Sequence, residues 1–139
     1  MEREYEICVS SQLLNLAAIA EFVSERAQLA GLSENVVFDI QMAVDEACTN
    51  AMEHAYDGHP DGQVRVCCYV ERDDFVVRVT DYGRSFDPST ISPPDLSVPL
   101  EERQIGGLGL FLIGQLMDCV EYRADKKAGN QMVLRKRLR

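Results

Sequence analysis

Three things are missing from this sequence: a CxxC pair, an apolar run as long as a membrane span, and any excess of positive charge. The five cysteines (Cys8, Cys48, Cys67, Cys68, Cys119) are odd in number, and His54 and His59 are not spaced as ligands with them. A disulfide framework or zinc site gives way to small reduced residues in core or surface positions. With no apolar span, and a charged start (MEREYE) unlike a signal peptide, a cytoplasmic protein without a membrane is the expectation. Basic residues number 14 against 23 acidic ones, a net charge of -9. That balance excludes direct nucleic-acid binding through a broad basic surface. The terminal RKRLR fits this. Read as a strand, it puts Met132, Leu134 and Leu138 on one face and Arg135, Arg137 and Arg139 on the other, a solvated sheet face rather than a basic arm.

The 139 residues that are present suit one domain with one core. Residues 3–9 alternate as a half-buried strand. Ser10 or Ser11 can cap a helix running to Gly31, and Ser33 a second one reaching His54 or Tyr56. Strands are expected at 63–71 and 75–80, joined by a turn at Asp73-Asp74, and at 119–124 and 131–138. Each strand has one apolar and one polar face, so helices should cover one side only, giving a two-layer α/β sandwich. The proline-rich stretch from Asp81 to Ile105 fits no element, and loops of that length in compact domains tend to be lids or disordered segments. It runs directly into a cluster of glycines, a placement that favours a lid.

Three features could form one site. Glu46 and Asn50 sit four apart on the second helix, beside an apolar stripe of Val36, Ile40, Ala43, Val44, Ala47 and Ala51. Alone the pair reads first as a polar helix boundary. Asp81-Tyr82-Gly83 ends the third strand and reads alone as an ordinary turn. A buried carboxylate there could accept a hydrogen bond from an exocyclic amine. In QIGGLGLFLIGQLMD (104–118), glycines open a helix that is apolar on nearly all sides and carries no Ser, Thr, Asp or Asn cap. Such a bare N-terminus serves as a turn or as a phosphate cradle.

In this order, VDEACTNAMEHAY (44–56), DYGRSFDP (81–88) and GGLGLFLI (106–113) resemble the N, G1 and G2 boxes of the GHKL, or Bergerat-fold, ATPases. The closest likeness is to the bacterial anti-sigma-factor serine/threonine kinases. The resemblance implies an α+β fold with a mixed, mostly antiparallel sheet covered on one face by three helices. It implies a single domain over 1–139 with an ATP lid at about 84–105. It assigns Glu46 as general base and Asn50 as the Mg²⁺ ligand. Asp81 would take the adenine amino group, with Gly83 beside the ring. Gly106, Gly107, Leu108, Gly109 and Leu110 would lie along the phosphates, Gly107 and Gly109 giving backbone N–H groups. Arg103 is the candidate for the γ-phosphate and Arg84 the second, though either suits a solvated lid charge. Many relatives carry Gly-Thr in the last hairpin where this chain has Gly129-Asn130-Gln131, a departure that bears on adenine selectivity.

The function so implied is an ATP-dependent protein kinase that phosphorylates an anti-anti-sigma (STAS-domain) partner and sequesters a sigma factor, as a homodimer. The alternative is a nucleotide-gated binding switch without significant kinase activity, which needs no base at Glu46. Sensor histidine kinases, gyrases and chaperones of this superfamily need further domains, and are the less expected readings.

Overall fold

The computed structural model describes residues 3–85 and 107–138. In chain order it comprises β1 (Tyr5–Ser10), a 3₁₀ turn (Leu13–Asn15), α1 (Leu16–Leu29), α2 (Glu34–Asn50), a π-helical turn (Ala51–Ala55), β2 (Gln63–Glu71), β3 (Asp74–Asp81), α3 (Gly107–Leu116), β4 (Cys119–Asp125) and β5 (Gly129–Arg137). The strands form one sheet in the order β1-β2-β3-β5-β4. Every pairing among them is antiparallel, the limit of the mostly antiparallel sheet expected. The expected lid, with Arg103 and Gly106, lies outside the described residues apart from Arg84 and Ser85.

One sheet face is the core. Val64 and Val66 of β2, Phe75, Val77 and Val79 of β3, and Met132 and Leu134 of β5 meet Ile19, Val23, Ile40, Val44 and Ile113 of the three helices. Fully burying Phe75 alone contributes about 2–3 kcal/mol. The other face carries the charge alternation seen in the sequence: Glu4–Arg78 at 3.3 Å, Glu6–Arg65 at 3.0 Å and Glu71–Arg135 at 2.9 Å. Val76, Val133 and Cys67 lie buried beneath these long side chains. Among the described residues no helix is long and apolar enough to cross a membrane.

Element edges depart from the sequence reading for physical reasons. Neither Ser10 nor Ser11 caps α1. The Ser11 hydroxyl donates to the His59 carbonyl and accepts from Gly62 N–H at 2.9 Å, tying the end of β1 to the turn before β2. The chain then makes a 3₁₀ turn, and α1 starts at Leu16 with no side-chain cap. Ser33 does cap α2, accepting from Val36 N–H at 3.4 Å. The β2–β3 turn is Arg72-Asp73, one residue earlier than expected, so Glu71 pairs with Asp74. β3 therefore reaches Asp81, and β5 starts at Gly129, which brings Asp81 and Asn130 opposite one another.

α2 gives way after Asn50 to a wider turn, closed by the i to i+5 bond from Tyr56 N–H to the Ala51 carbonyl at 3.1 Å. The Ala55 carbonyl, left without an intrahelical partner at this helix end, takes Arg84 N–H at 2.8 Å. The end of the second helix is thereby joined to the chain just past β3.

Candidate functional site

α2 and α3 pack side by side, and the contact is built around a missing side chain. A Cβ placed on Gly109 would lie 2.9 Å from Glu46 Oε2, 3.4 Å from Asn50 Nδ2 and 3.7 Å from Asn50 Oδ1. The helical spacing of Glu46 and Asn50 points both at this one backbone position. Asn50 Nδ2 is buried without a hydrogen-bond partner among the described residues. Leaving such a donor unmet costs about 1–3 kcal/mol, so a polar group brought beside it would be held favourably. The donor set fits a metal-bound phosphate: the amide Oδ1 is a hard oxygen ligand, and Nδ2 can donate to a phosphate oxygen.

Glu46 is half-buried at the same place. Burial pushes its carboxyl above the ordinary range, and the negative charges of Asp45 and Glu53 push it further. A carboxylate raised in this way is a better proton acceptor than an exposed one, which suits it to general-base work.

Asp81 closes β3 on the helix-facing side of the sheet and is only 8% exposed. Its Oδ1 accepts from Asn130 Nδ2 at 2.8 Å and from Gly83 N–H at 3.0 Å. Burial raises the pKa of this carboxyl, and the two hydrogen bonds hold back part of the rise. Asn130 Nδ2 also donates to the Gly83 carbonyl at 3.0 Å. Nearby, the Tyr56 hydroxyl accepts from Tyr82 N–H and donates to the Gln63 carbonyl, both at 2.7 Å. Gly83 itself lies flat against the π turn. A Cβ there would overlap the Ala55 carbonyl oxygen and sit 2.6 Å from its carbon.

That contact sets a measurable expectation. The obstructing atoms are backbone and are held by the Arg84 N–H bond, so they cannot swing aside. Gly83→Ala should destabilise the fold by roughly 1–3 kcal/mol, read as a lower urea midpoint at unchanged slope. An unchanged midpoint would show that the π turn yields freely.

The structure thus brings Glu46, Asn50 and Gly109 together at one end, and Asp81 and Gly83 at the other, with the π turn between them. Gly107 and Leu108 begin α3, and Leu110 is half-buried against the core. Arg84 is engaged elsewhere: its guanidinium binds Asp57 Oδ1 at 2.8 Å and the His54 carbonyl at 3.3 Å, which anchors the π turn. That placement gives no support to Arg84 as the γ-phosphate ligand. Two participants were not singled out from the sequence. Tyr56 was visible only as a possible helix end, and Asn130 only as a departure from Gly-Thr. The β3–β5 register that pairs Asn130 with Asp81 spans 49 positions.

Comparisons with known proteins bear on the family and the fold. Residues 9–136 match the family described as Histidine kinase-like ATPase domain. The Serine-protein kinase RsbW of Listeria monocytogenes is 43% identical over 104 residues, 72% of this chain and 66% of that protein. That of Halalkalibacterium halodurans is 41% identical over 107 residues, 74% of this chain and 65% of that protein. In Bacillus cereus the Serine-protein kinase RsbW is 34% identical over 124 residues, 81% of this chain and 77% of that protein. The chain therefore spans just under two thirds of the length of the Listeria relative. A solved Mycobacterium tuberculosis structure with RsbU and RsbW domains shares the fold, with a TM-score of 0.69 at 18% identity. The match covers 97% of this chain and 32% of that one.

Proposed function

The chain belongs to the histidine kinase-like ATPase family, and from that premise we propose that it is an ATP-dependent serine/threonine protein kinase acting as an anti-sigma regulator. The observation that carries the reading is the Glu46–Asn50–Gly109 contact, with its unmet amide donor and its missing Cβ. A binding module needs somewhere to hold phosphate; a kinase also needs a base beside it, and Glu46 stands there with a raised pKa.

In this reading Asp81 accepts from the adenine amino group and Gly83 lets the ring approach the backbone. Asn50 and the first turn of α3 hold the phosphates, Gly107 and Gly109 offering backbone N–H groups at a helix start. Bound Mg²⁺ would neutralise phosphate charge, with the Asn50 amide oxygen as the ligand this chain supplies. Glu46 takes the proton of a serine or threonine hydroxyl as its oxygen bonds to the γ-phosphorus. The bond from that phosphorus to the β–γ bridging oxygen breaks, and ADP leaves. Arg103 and Gly106 complete the proposed phosphate set, under a lid at about 84–105.

The proposed substrate is an anti-anti-sigma protein of the STAS class, and the protein held when that partner is phosphorylated is a sigma factor. The name of the relatives, serine-protein kinase, supports the reaction class. A homodimer in the cytoplasm, free of nucleic acid and membrane, completes the proposal. The test is transfer of radiolabelled γ-phosphate to candidate STAS proteins in the presence of Mg²⁺. Labelled phosphoserine or phosphothreonine is expected. ATP binding without any labelled partner would leave the non-catalytic switch as the better account.

A further inference from the structure

We infer that Asn130 is a positioning residue that sets the base selectivity of the nucleotide site. The inference rests on the ATP-binding reading above and goes beyond it to a residue that no comparison assigns.

Asn130 is 6% exposed and stands opposite Asp81 on the helix-facing side of the sheet. Its amide nitrogen carries two hydrogens and meets two oxygens, Asp81 Oδ1 at 2.8 Å and the Gly83 carbonyl at 3.0 Å. Both partners are acceptors, so the orientation of the amide is dictated: turned over, its oxygen would face a carboxylate and a carbonyl. Gly83 N–H adds a second donor to the same Oδ1. Among the described residues, both hydrogen bonds of the carboxylate fall on Oδ1.

Two consequences follow for a ligand. The two donors on Oδ1 offset part of the cost of burial and so favour the ionised, acceptor-only form of Asp81. The oxygen left to meet a base is Oδ2, and it can take an amino group but repels a carbonyl. A 6-amino purine satisfies it; a 6-oxo purine does not. Asn130 also locks the Gly83 carbonyl, which fixes the peptide against which the ring would lie. A hydroxyl at position 130 has one hydrogen and could hold only one of the two oxygens.

The probes are ATP and inosine 5′-triphosphate, which share sugar and phosphates and differ at position 6 of the base. Both are titrated calorimetrically into the full chain, into Asn130→Ala and into Asn130→Thr. The wild type should prefer ATP. Asn130→Ala should lose about tenfold in ATP affinity while its affinity for inosine triphosphate holds, so the ratio collapses. Asn130→Thr, which keeps one donor, should fall between the two. A ratio unchanged in both variants, whatever the absolute affinities, overturns the inference. If the wild type binds neither triphosphate, the nucleotide-site reading fails instead, and that result is distinct. Should Asn130→Ala not fold, the threonine variant decides alone: its ratio must fall below that of the wild type.

Discussion

Replacing Glu46 by alanine should cut phosphotransfer to the partner roughly 10²- to 10⁴-fold, the range expected for losing a general base. ATP affinity should survive, because Glu46 is not among the groups proposed to hold the nucleotide. The separation of the two readouts identifies a base, since a damaged pocket would lower both. The same residue sets a pH signature. Its carboxyl is raised by burial first, and then by Asp45 and Glu53. A base works only when ionised, so the rate should fall on acidification through a pKa above the usual carboxylate value. Undiminished phosphotransfer in the variant would remove Glu46 as the base, whereas regulation that continues unchanged without any phosphotransfer would establish the nucleotide-gated switch.

Asp81→Asn is expected to do two opposite things at once. Nucleotide binding should weaken by about 10- to 100-fold, the worth of a charged hydrogen bond to the base. The ligand-free protein should melt about 3 °C higher. Asp81 has its folded-state pKa raised by burial. Above the ordinary carboxylate range, the native state therefore holds more proton than the unfolded chain. Stability is lost as pH rises through that window, and the loss is complete once the pH exceeds the raised value. Asparagine removes the charge, while its amide oxygen can still accept from Asn130 and from Gly83 N–H. Thermal melts with and without ATP test both halves. A lower melting temperature in the ligand-free variant would mean that the carboxylate is structural, and that its burial is not a cost borne for binding.

Much of this architecture could be read from local patterns. Alternation marked the strands, and 3.6-residue periodicity placed Glu46 and Asn50 on a common flank. What escaped was set by distance along the chain or by competition for a single group. Ser11 is a good cap by type, yet its hydroxyl is taken by the turn at His59–Gly62, some fifty residues away. The partnership of Asn130 with Asp81 depends on a register that α3 and the proline-rich stretch separate from any local signal. The π turn escaped because Ala51–Ala55 has ordinary helix-forming residues. Nothing in AMEHA distinguishes the two turns. The tertiary bonds of Ala55, Tyr56 and Arg84 do.

A π turn holds one residue more than an α turn would use over the same span. Were any one residue between Ala51 and Ala55 deleted, regular bonds could close the helix. Everything beyond would then swing by about 100° about the helix axis. Tyr56 could no longer share its hydroxyl between Gln63 and Tyr82, and Gly83 would lose the surface it rests on. The stretch is therefore constrained as a count more than as a composition. Outside the buried Ala51 and Met52, a substitution in this stretch should disturb the fold less than a deletion, because the elements on either side must stay in phase.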